Sequence, residues 1–398
     1  MKSLRGQWES PLMESLPEYV FNSVDKLKRE ARAKGEDIID LGMGNPDRPT
    51  PHHIVDKLTE SSLKPKNHRY SASAGIPNLR KAVCDWYKKK FNATLNPNTE
   101  AVATMGIKEG ISHLMPCILS PGDKVIVPSP AYPIHTYSVT IARGKPVAVP
   151  ITADTEKLAA DIEKAVKKGG KRVKAILLSF PNNPTTATVG LDFFEKIVAL
   201  ARKHGVLVIH DFAYAEVCFD GYKPPSIMQV KGAKEVAVEF YSLSKTYNMP
   251  GWRVGFMAGN ANVVSHLRKI KSYLDYGIFQ PIQISAILAM NGPQKCVEEV
   301  RKTYQLRRDK LIRSFAEAGW EIEPPGATMF VWAEIPRQFK KMSSLEFSKM
   351  LIKKAGVASS PGVGFGSAGE GFVRFALVEN EKRIGQAARN INKVLNRR

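Results

Sequence analysis

The feature that most constrains this chain is a set of short apolar runs that each end in polar or aromatic residues. Val206-Leu207-Val208-Ile209 leads into His210-Asp211, and Ala175-Ile176-Leu177-Leu178 leads into Ser179 and then Asn182-Asn183-Pro184. Val125-Ile126-Val127 leads into Ser129-Pro130-Ala131-Tyr132. Runs this short, apolar throughout, read as strands of a parallel sheet covered on both faces. From about residue 50 to 285 such runs alternate with helix-like segments, as where Asp192 to His204 precedes the Val206 run. Alternation of this kind argues for an α/β fold, a mostly parallel sheet with helices on both sides. Ligands of such sheets sit beyond the carboxyl ends of the strands, so Asp211 is aimed at a site. Taken alone, an Asp after a strand would read as a helix N-cap.

The pattern changes near residue 286. A charged helical stretch runs from Val297 to Gly319, followed by strand candidates at Met329–Ala333 and Phe372–Leu377 and a helix from Glu381 onward. This reads as a smaller α+β domain over 286–398, completed by an N-terminal segment, 1–49, around a large domain at 50–285. The N-terminal segment holds an expected helix from about 15 to 34, opened by Pro17 and closed near Gly35, and a short strand at Ile38–Leu41. At 398 residues two domains are the expectation. No apolar run reaches membrane-helix length, and Met1–Ser10 lacks a hydrophobic signal core. Four scattered cysteines without CxxC spacing argue against a zinc site or a disulfide framework and fit a reducing cytoplasm. Net charge is +21, from 59 basic and 38 acidic residues. That would suit nucleic acid, but the basic residues are spread, as in Lys88-Lys89-Lys90, and form no nucleic-acid motif. No metal ligand set is expected.

The densest chemistry lies in Tyr241-Ser242-Leu243-Ser244-Lys245-Thr246-Tyr247, with Arg253 in Trp252-Arg253-Val254-Gly255. A lysine beside two small hydroxyls, with a guanidinium eight residues on, suits an aldehyde held covalently by the lysine and by its phosphate. The segment resembles the cofactor-lysine motif of the class I/II aminotransferases, enzymes of fold type I that use pyridoxal 5'-phosphate (PLP). The resemblance covers essentially the whole chain and is strongest to bacterial alanine-type transaminases, through Met43-Gly44-Asn45-Pro46-Asp47, Gly106-Ile107-Lys108-Glu109-Gly110 and Asp275-Tyr276-Gly277-Ile278-Phe279-Gln280-Pro281.

The resemblance implies roles for particular residues. Lys245 carries the cofactor, while Ser242, Ser244 and Arg253 hold its phosphate together with the amides of Ile107 and Lys108, at the start of a helix-like run from Ile111 to Leu119. Asp211 pairs with the pyridine nitrogen, Tyr214 and Asn183 bond the ring oxygen, and Tyr132 stacks on the ring. Arg374, flanked by apolar residues in a strand, needs an anionic partner; the resemblance makes it the clamp for the substrate α-carboxylate. Gly44 contacts that carboxylate through its backbone, with Asn183 and Tyr132 nearby. Tyr70 reaches the phosphate of a neighbouring subunit, which implies a homodimer. One departure is Thr186, where the family turn after Asn-Pro-Thr carries glycine.

The implied reaction moves an amino group from a small amino acid, alanine favoured, to a 2-oxo acid such as 2-oxoglutarate. Lys245, Asp211 and Tyr214 form the expected catalytic set. The same constellation serves β-lyases of cystathionine type, and relatives of this group act on glutamate or aspartate, methionine or diaminopimelate. Residues 271–285 contain no arginine, which disfavours a dicarboxylate clamp there. A regulator without turnover is the reading from another class. Such regulators often carry an added DNA-binding domain, for which no room is expected before Asp40.

Overall fold

A computed structural model describes residues 10–17 and 20–396. The expected absence of a signal core at 1–10 falls, for residues 1–9, outside the described residues. In chain order the described strands are β1 (Ile39–Asp40), β2 (Ala101–Thr104), β3 (Lys124–Ser129), β4 (Lys145–Pro150), β5 (Val173–Ser179), β6 (Leu207–Asp211), β7 (Ala237–Ser242), β8 (Gly255–Gly259), β9 (Phe330–Glu334), β10 (Val357–Ala358), β11 (Ser360–Pro361) and β12 (Phe372–Ala376).

Seven strands form one sheet in the order β2-β8-β7-β6-β5-β3-β4. Only β8 runs antiparallel to its neighbours, so the sheet is mostly parallel. The apolar runs fill both faces by strict alternation. Ile176, Leu178 and Val208 pack into one apolar core with Phe193, Phe194 and Ile197 of the helix Leu191–His204. Ala175, Leu177 and Ile209, their neighbours in sequence, pack into a second core with Ile111, Leu114 and Leu267. Each such side chain contributes about 1.5–3 kcal/mol on burial, and the burial fixes which strand end faces which way.

A third core joins the later elements. β11, β12 and β9 form an antiparallel sheet, covered by the helices Lys295–Glu317, Ser344–Ala355 and Glu381–Leu395 through Leu311, Phe315, Phe347, Ile384 and Ile391. β1 pairs parallel with β10, which ties the N-terminal segment to this unit. The expected division at 285/286 falls inside the helix Gln280–Asn291. Ala286, Ala289 and Met290 of that helix, and Val297 beyond it, lie in the core of the large sheet, so we propose to place the division after this helix.

Two helix boundaries differ from the expectation. The helix expected over 15–34 spans Phe21–Ala33, and a short separate helix occupies Pro11–Ser15. Leu16 is extended with ψ 120° and ends that first turn; residues 18 and 19 lie outside the described residues. The helix expected from Ile111 begins at Ile107. Gly106 at its N-cap masks the start, because its φ of 77° lies outside the helical range.

The turn after β5 explains the Thr186 departure. Thr186 takes φ 63°, the left-handed region that a β-branched residue enters at about 1–2 kcal/mol. Its amide nonetheless donates to the Asn182 carbonyl at 3.0 Å. Glycine would relieve that strain but lose about 0.5–1 kcal/mol to chain entropy. Thr186→Gly is expected to raise stability by about 0.5–1 kcal/mol, read as a higher urea midpoint. A lower midpoint would show that the threonine side chain contributes more than its backbone costs.

Candidate active site

Five strands deliver residues to one edge of the large sheet. β2 ends at Thr104 and feeds Gly106 and the helix Ile107–Ile118; β3 ends at Ser129 and feeds Tyr132. β5 ends at Ser179 and feeds Asn183, β6 ends at Asp211, and β7 ends at Ser242 and feeds Lys245. β2 and β7 are both antiparallel to β8 and so point the same way, which is why all five ends meet. Ile107, Lys108, Tyr132, Asn183, Asp211, Tyr214, Ser242, Ser244, Lys245, Arg253, Gly44 and Arg374 line one cavity of about 240 Å³.

One end of the cavity is built from donors. The first-turn amides of a helix have no partner within the helix, and Ile107 and Lys108 occupy that turn. Ser242 caps the next short helix by accepting from the Ser244 amide at 3.1 Å. Arg253 donates to the carbonyls of Pro250 and Met105 at 2.9 and 3.3 Å. A Cβ on Gly106 would collide with that guanidinium, so glycine lets Arg253 lie against the helix start. Amides, hydroxyls and a guanidinium converging at a helix N-terminus form an anion site.

Asp211, buried at the middle of the cavity, accepts from the Ala213 amide at 3.1 Å and lies 2.8 Å from Nε2 of buried His135. Tyr214 is buried against Phe330, with ring centroids 5.7 Å apart. Burial pushes the phenols of Tyr214 and Tyr132 up, against the opposing pull of Arg374.

At the other end stands Arg374, mid-strand in β12 and 6% exposed. Its Nη1 donates to Asn183 Oδ1 at 2.6 Å, and its Nη2 donates to the Gly42 carbonyl at 3.1 Å and Ser360 Oγ at 3.2 Å. The guanidinium lies 3.9 Å from the Phe330 ring centroid and 4.6 Å from that of Phe365. A cation this close to two rings is attracted by their quadrupoles, and its planar fork has the shape that matches a carboxylate. Gly44 lies beside it; a Cβ there would sit 2.6 Å from the Phe330 ring.

Lys245 lies between these ends. Its Nζ donates to the Gly44 carbonyl at 2.8 Å. Burial, then Arg374, then Arg253 lower its pKa to about 8. The neutral amine is therefore far more accessible near physiological pH than it is for an exposed lysine.

The sequence matches the model of the aminotransferase class I and II family over residues 36–391. The chain belongs to that family. It is 51% identical over 391 residues to the glutamate-pyruvate aminotransferase AlaC of Escherichia coli K12, covering 98% of this chain and 95% of that protein. It is 43% identical to an LL-diaminopimelate aminotransferase of Moorella thermoacetica, covering 97% and 98%. Among solved structures, substrate-bound BacF from Bacillus subtilis superposes with a TM-score of 0.91 at 37% identity, covering 98% of each chain.

Class I/II aminotransferases use PLP, and the residues present fit it. A cradle of donors that suits a phosphate, a lysine with a depressed pKa and a buried carboxylate open onto one cavity. Sequence reasoning missed His135, Phe330, Phe365 and Ser360, which hold Asp211 and Arg374. His135 follows Tyr132 by three residues and could have been suspected; the others come from distant strands and left no local signal. Tyr70 does not line the cavity. It is 84% exposed and stacks on Tyr276 with ring centroids 4.4 Å apart.

The charge pattern sets an expectation for the aminotransferase without cofactor. Lys245 becomes acetylated by acetic anhydride with a midpoint near pH 8, whereas exposed lysines react only as pH approaches about 10. Arg374→Leu removes one of the depressing cations and moves that midpoint up. Peptide mapping across pH reads both, and a Lys245 midpoint equal to that of surface lysines would refute the electrostatic account.

Proposed function

We propose that this aminotransferase moves the amino group of alanine, or of a similarly small neutral amino acid, to 2-oxoglutarate. The observation that carries the reading is that Arg253, Lys245 and Arg374 line one cavity, with both arginines acting on the lysine, in a chain half identical to a glutamate-pyruvate aminotransferase. In this reading Ser242, Ser244, Arg253 and the amides of Ile107 and Lys108 hold the PLP phosphate. Asp211 faces the pyridine nitrogen, Asn183 and Tyr214 face the ring oxygen, and Tyr132 covers the ring. When bound, PLP supplies an electron sink for the charge left at the substrate Cα.

The chain's own residues then divide the labour. Arg374 clamps the α-carboxylate and orients the Cα–H bond toward Lys245. Neutral Lys245 Nζ takes the Cα proton and later returns one to the product side. Asp211, oriented by His135 and the Ala213 amide, holds negative charge where the ring nitrogen must keep its proton. Asn183 serves both Arg374 and the ring oxygen, which couples carboxylate docking to the cofactor.

Among the described residues no helix is long and apolar enough to cross a membrane, and a cytoplasmic enzyme is the proposal that fits the amino-acid substrates. The exposure of Tyr70, with Tyr273, Tyr276 and Phe279 also exposed, supports a homodimer in which Tyr70 completes the partner's phosphate site.

Two experiments test these assignments. Protein loaded with PLP is expected to convert alanine to pyruvate and 2-oxoglutarate to glutamate in matched amounts, and Lys245→Ala should lose about 10³-fold or more of turnover. Preference for diaminopimelate would shift the donor toward that of the Moorella relative; ammonia release from cystathionine without an oxo acid would replace transamination by elimination. Mixing Tyr70→Ala with Lys245→Ala protomers should restore activity above either variant alone, since one hybrid site is then complete. No restoration in verified hybrids would place Tyr70 outside the partner's site.

A further inference from the structure

Lys271 is among the buried cations that the reaction as derived leaves unused. Lys271, in the helix Ala261–Leu274, is 0% exposed. Its Nζ donates to Glu109 Oε1 and to Asp275 Oδ2, each at 2.9 Å. An ammonium this deep is retained only when paired and hydrogen-bonded, and the pairing here leads directly to the phosphate end of the cavity.

Glu109 is the third residue of the helix whose first-turn amides open onto that end. Its Oε2 accepts from the Met105 amide at 2.8 Å. The carbonyl of the same Met105 accepts from Arg253 Nη2 at 3.3 Å. Glu109 thus fixes the peptide that seats Arg253. It also puts a carboxylate in the first turn of a helix that must receive a dianion, where an uncompensated like charge would oppose binding. His113 Nδ1 lies 2.6 Å from the same Oε1.

Asp275 leads the other way. Its Oδ1 accepts from the Gly277 amide and its carbonyl accepts from Ser73 Oγ, both at 2.6 Å. Those bonds join the segments that carry Tyr276 and Tyr70, whose rings stack. One ammonium therefore links the helix start, the Arg253 seat and the tyrosine segment.

We propose, resting on the phosphate assignment above, that Lys271 is a positioning residue for the cofactor. It holds Glu109 and Asp275 in place and offsets part of the Glu109 charge that would otherwise repel the phosphate. A purely structural ion triad would stabilise the fold without acting on the phosphate, and the difference is measurable.

The test uses the full-length protein stripped of cofactor and titrated with PLP, with inorganic phosphate as a second ligand. Lys271→Met is expected to weaken both ligands, PLP by roughly ten- to a hundredfold, with a smaller change in turnover at saturating PLP. Adding Glu109→Gln to Lys271→Met should recover part of that loss, because it removes the exposed charge without restoring the bridge. Arg308→Leu, which disrupts the ion pair of buried Arg308 with exposed Asp220, should leave PLP affinity unchanged. Where Lys271→Met does not yield folded protein, Lys271→Gln is measured instead; it removes the ammonium beside Glu109 while keeping a hydrogen-bonding side chain, and it is expected to weaken PLP in the same direction.

PLP affinity within about twofold of the parent in either variant would overturn the proposal. So would equal weakening by Arg308→Leu, or a double variant weaker than Lys271→Met alone. A parent protein that binds no PLP would overturn the cofactor assignment and this proposal with it. A parent that binds normally beside a variant that also binds normally would overturn only the role of Lys271.

Discussion

A guanidinium withdrawn from water is tolerated only when its donors are met, and Arg374 meets them by drawing three parts of the chain together. Its partners are Gly42 of the N-terminal segment, Ser360 of β11 and Asn183 after β5. The first two belong to the unit around the small sheet, the third to the large one. Satisfying one side chain therefore fixes how the two sheets present their edges to each other. The rings of Phe330 and Phe365 both lie against the guanidinium. A substrate carboxylate that docks at this point enters a seat already shaped by structural demand, so little further ordering is needed on binding.

The same cation sets the state of the base. In the empty cavity Arg374 and Arg253 both depress Lys245. In the function proposed above each also receives an anion, a carboxylate at Arg374 and a phosphate at Arg253. Anions arriving there offset the two depressing charges, and the amine becomes more basic as the site fills. The protein thus holds a lysine that gives up its proton more readily than an exposed one when the cavity is open, and that gains proton affinity once a substrate proton is within reach. Burial alone would give the first property but not the second.

Much of this was legible in the sequence because it depends on local order. Apolar runs ending in Asp211, Ser179 and Ser242 mark strand ends, and a parallel sheet must bring those ends to one edge. The unreadable parts depend on contacts between distant segments. Phe330 and Phe365 read as ordinary core aromatics, and nothing beside them announces a stacked arginine 44 or 9 residues away in the chain. Gly106 hid a helix start because a residue with positive φ breaks the periodic pattern just before the amides that matter. Residue 286 looked like a division because the pattern turns charged there, yet the helix crossing it keeps its apolar side in the large core.

Lysine chemistry shows most clearly why position outranks residue type. Lys28, Lys245 and Lys271 are all withdrawn from the surface, and a sequence gives no reason to treat them differently. Lys28 lies between Asp25 and Asp40 at 2.6 and 2.8 Å. Burial works against its charge, but bonds to the two carboxylates outweigh that and raise its pKa. Lys271 likewise sits between two carboxylates. Lys245 has a backbone carbonyl and two arginines instead, and its pKa falls. Lys28 is thereby held as a structural cation, while Lys245 is moved toward the neutral amine. What separates them is whether the neighbours at a strand or helix end are acidic or basic, a property of the assembled sheet edge and not of any single motif.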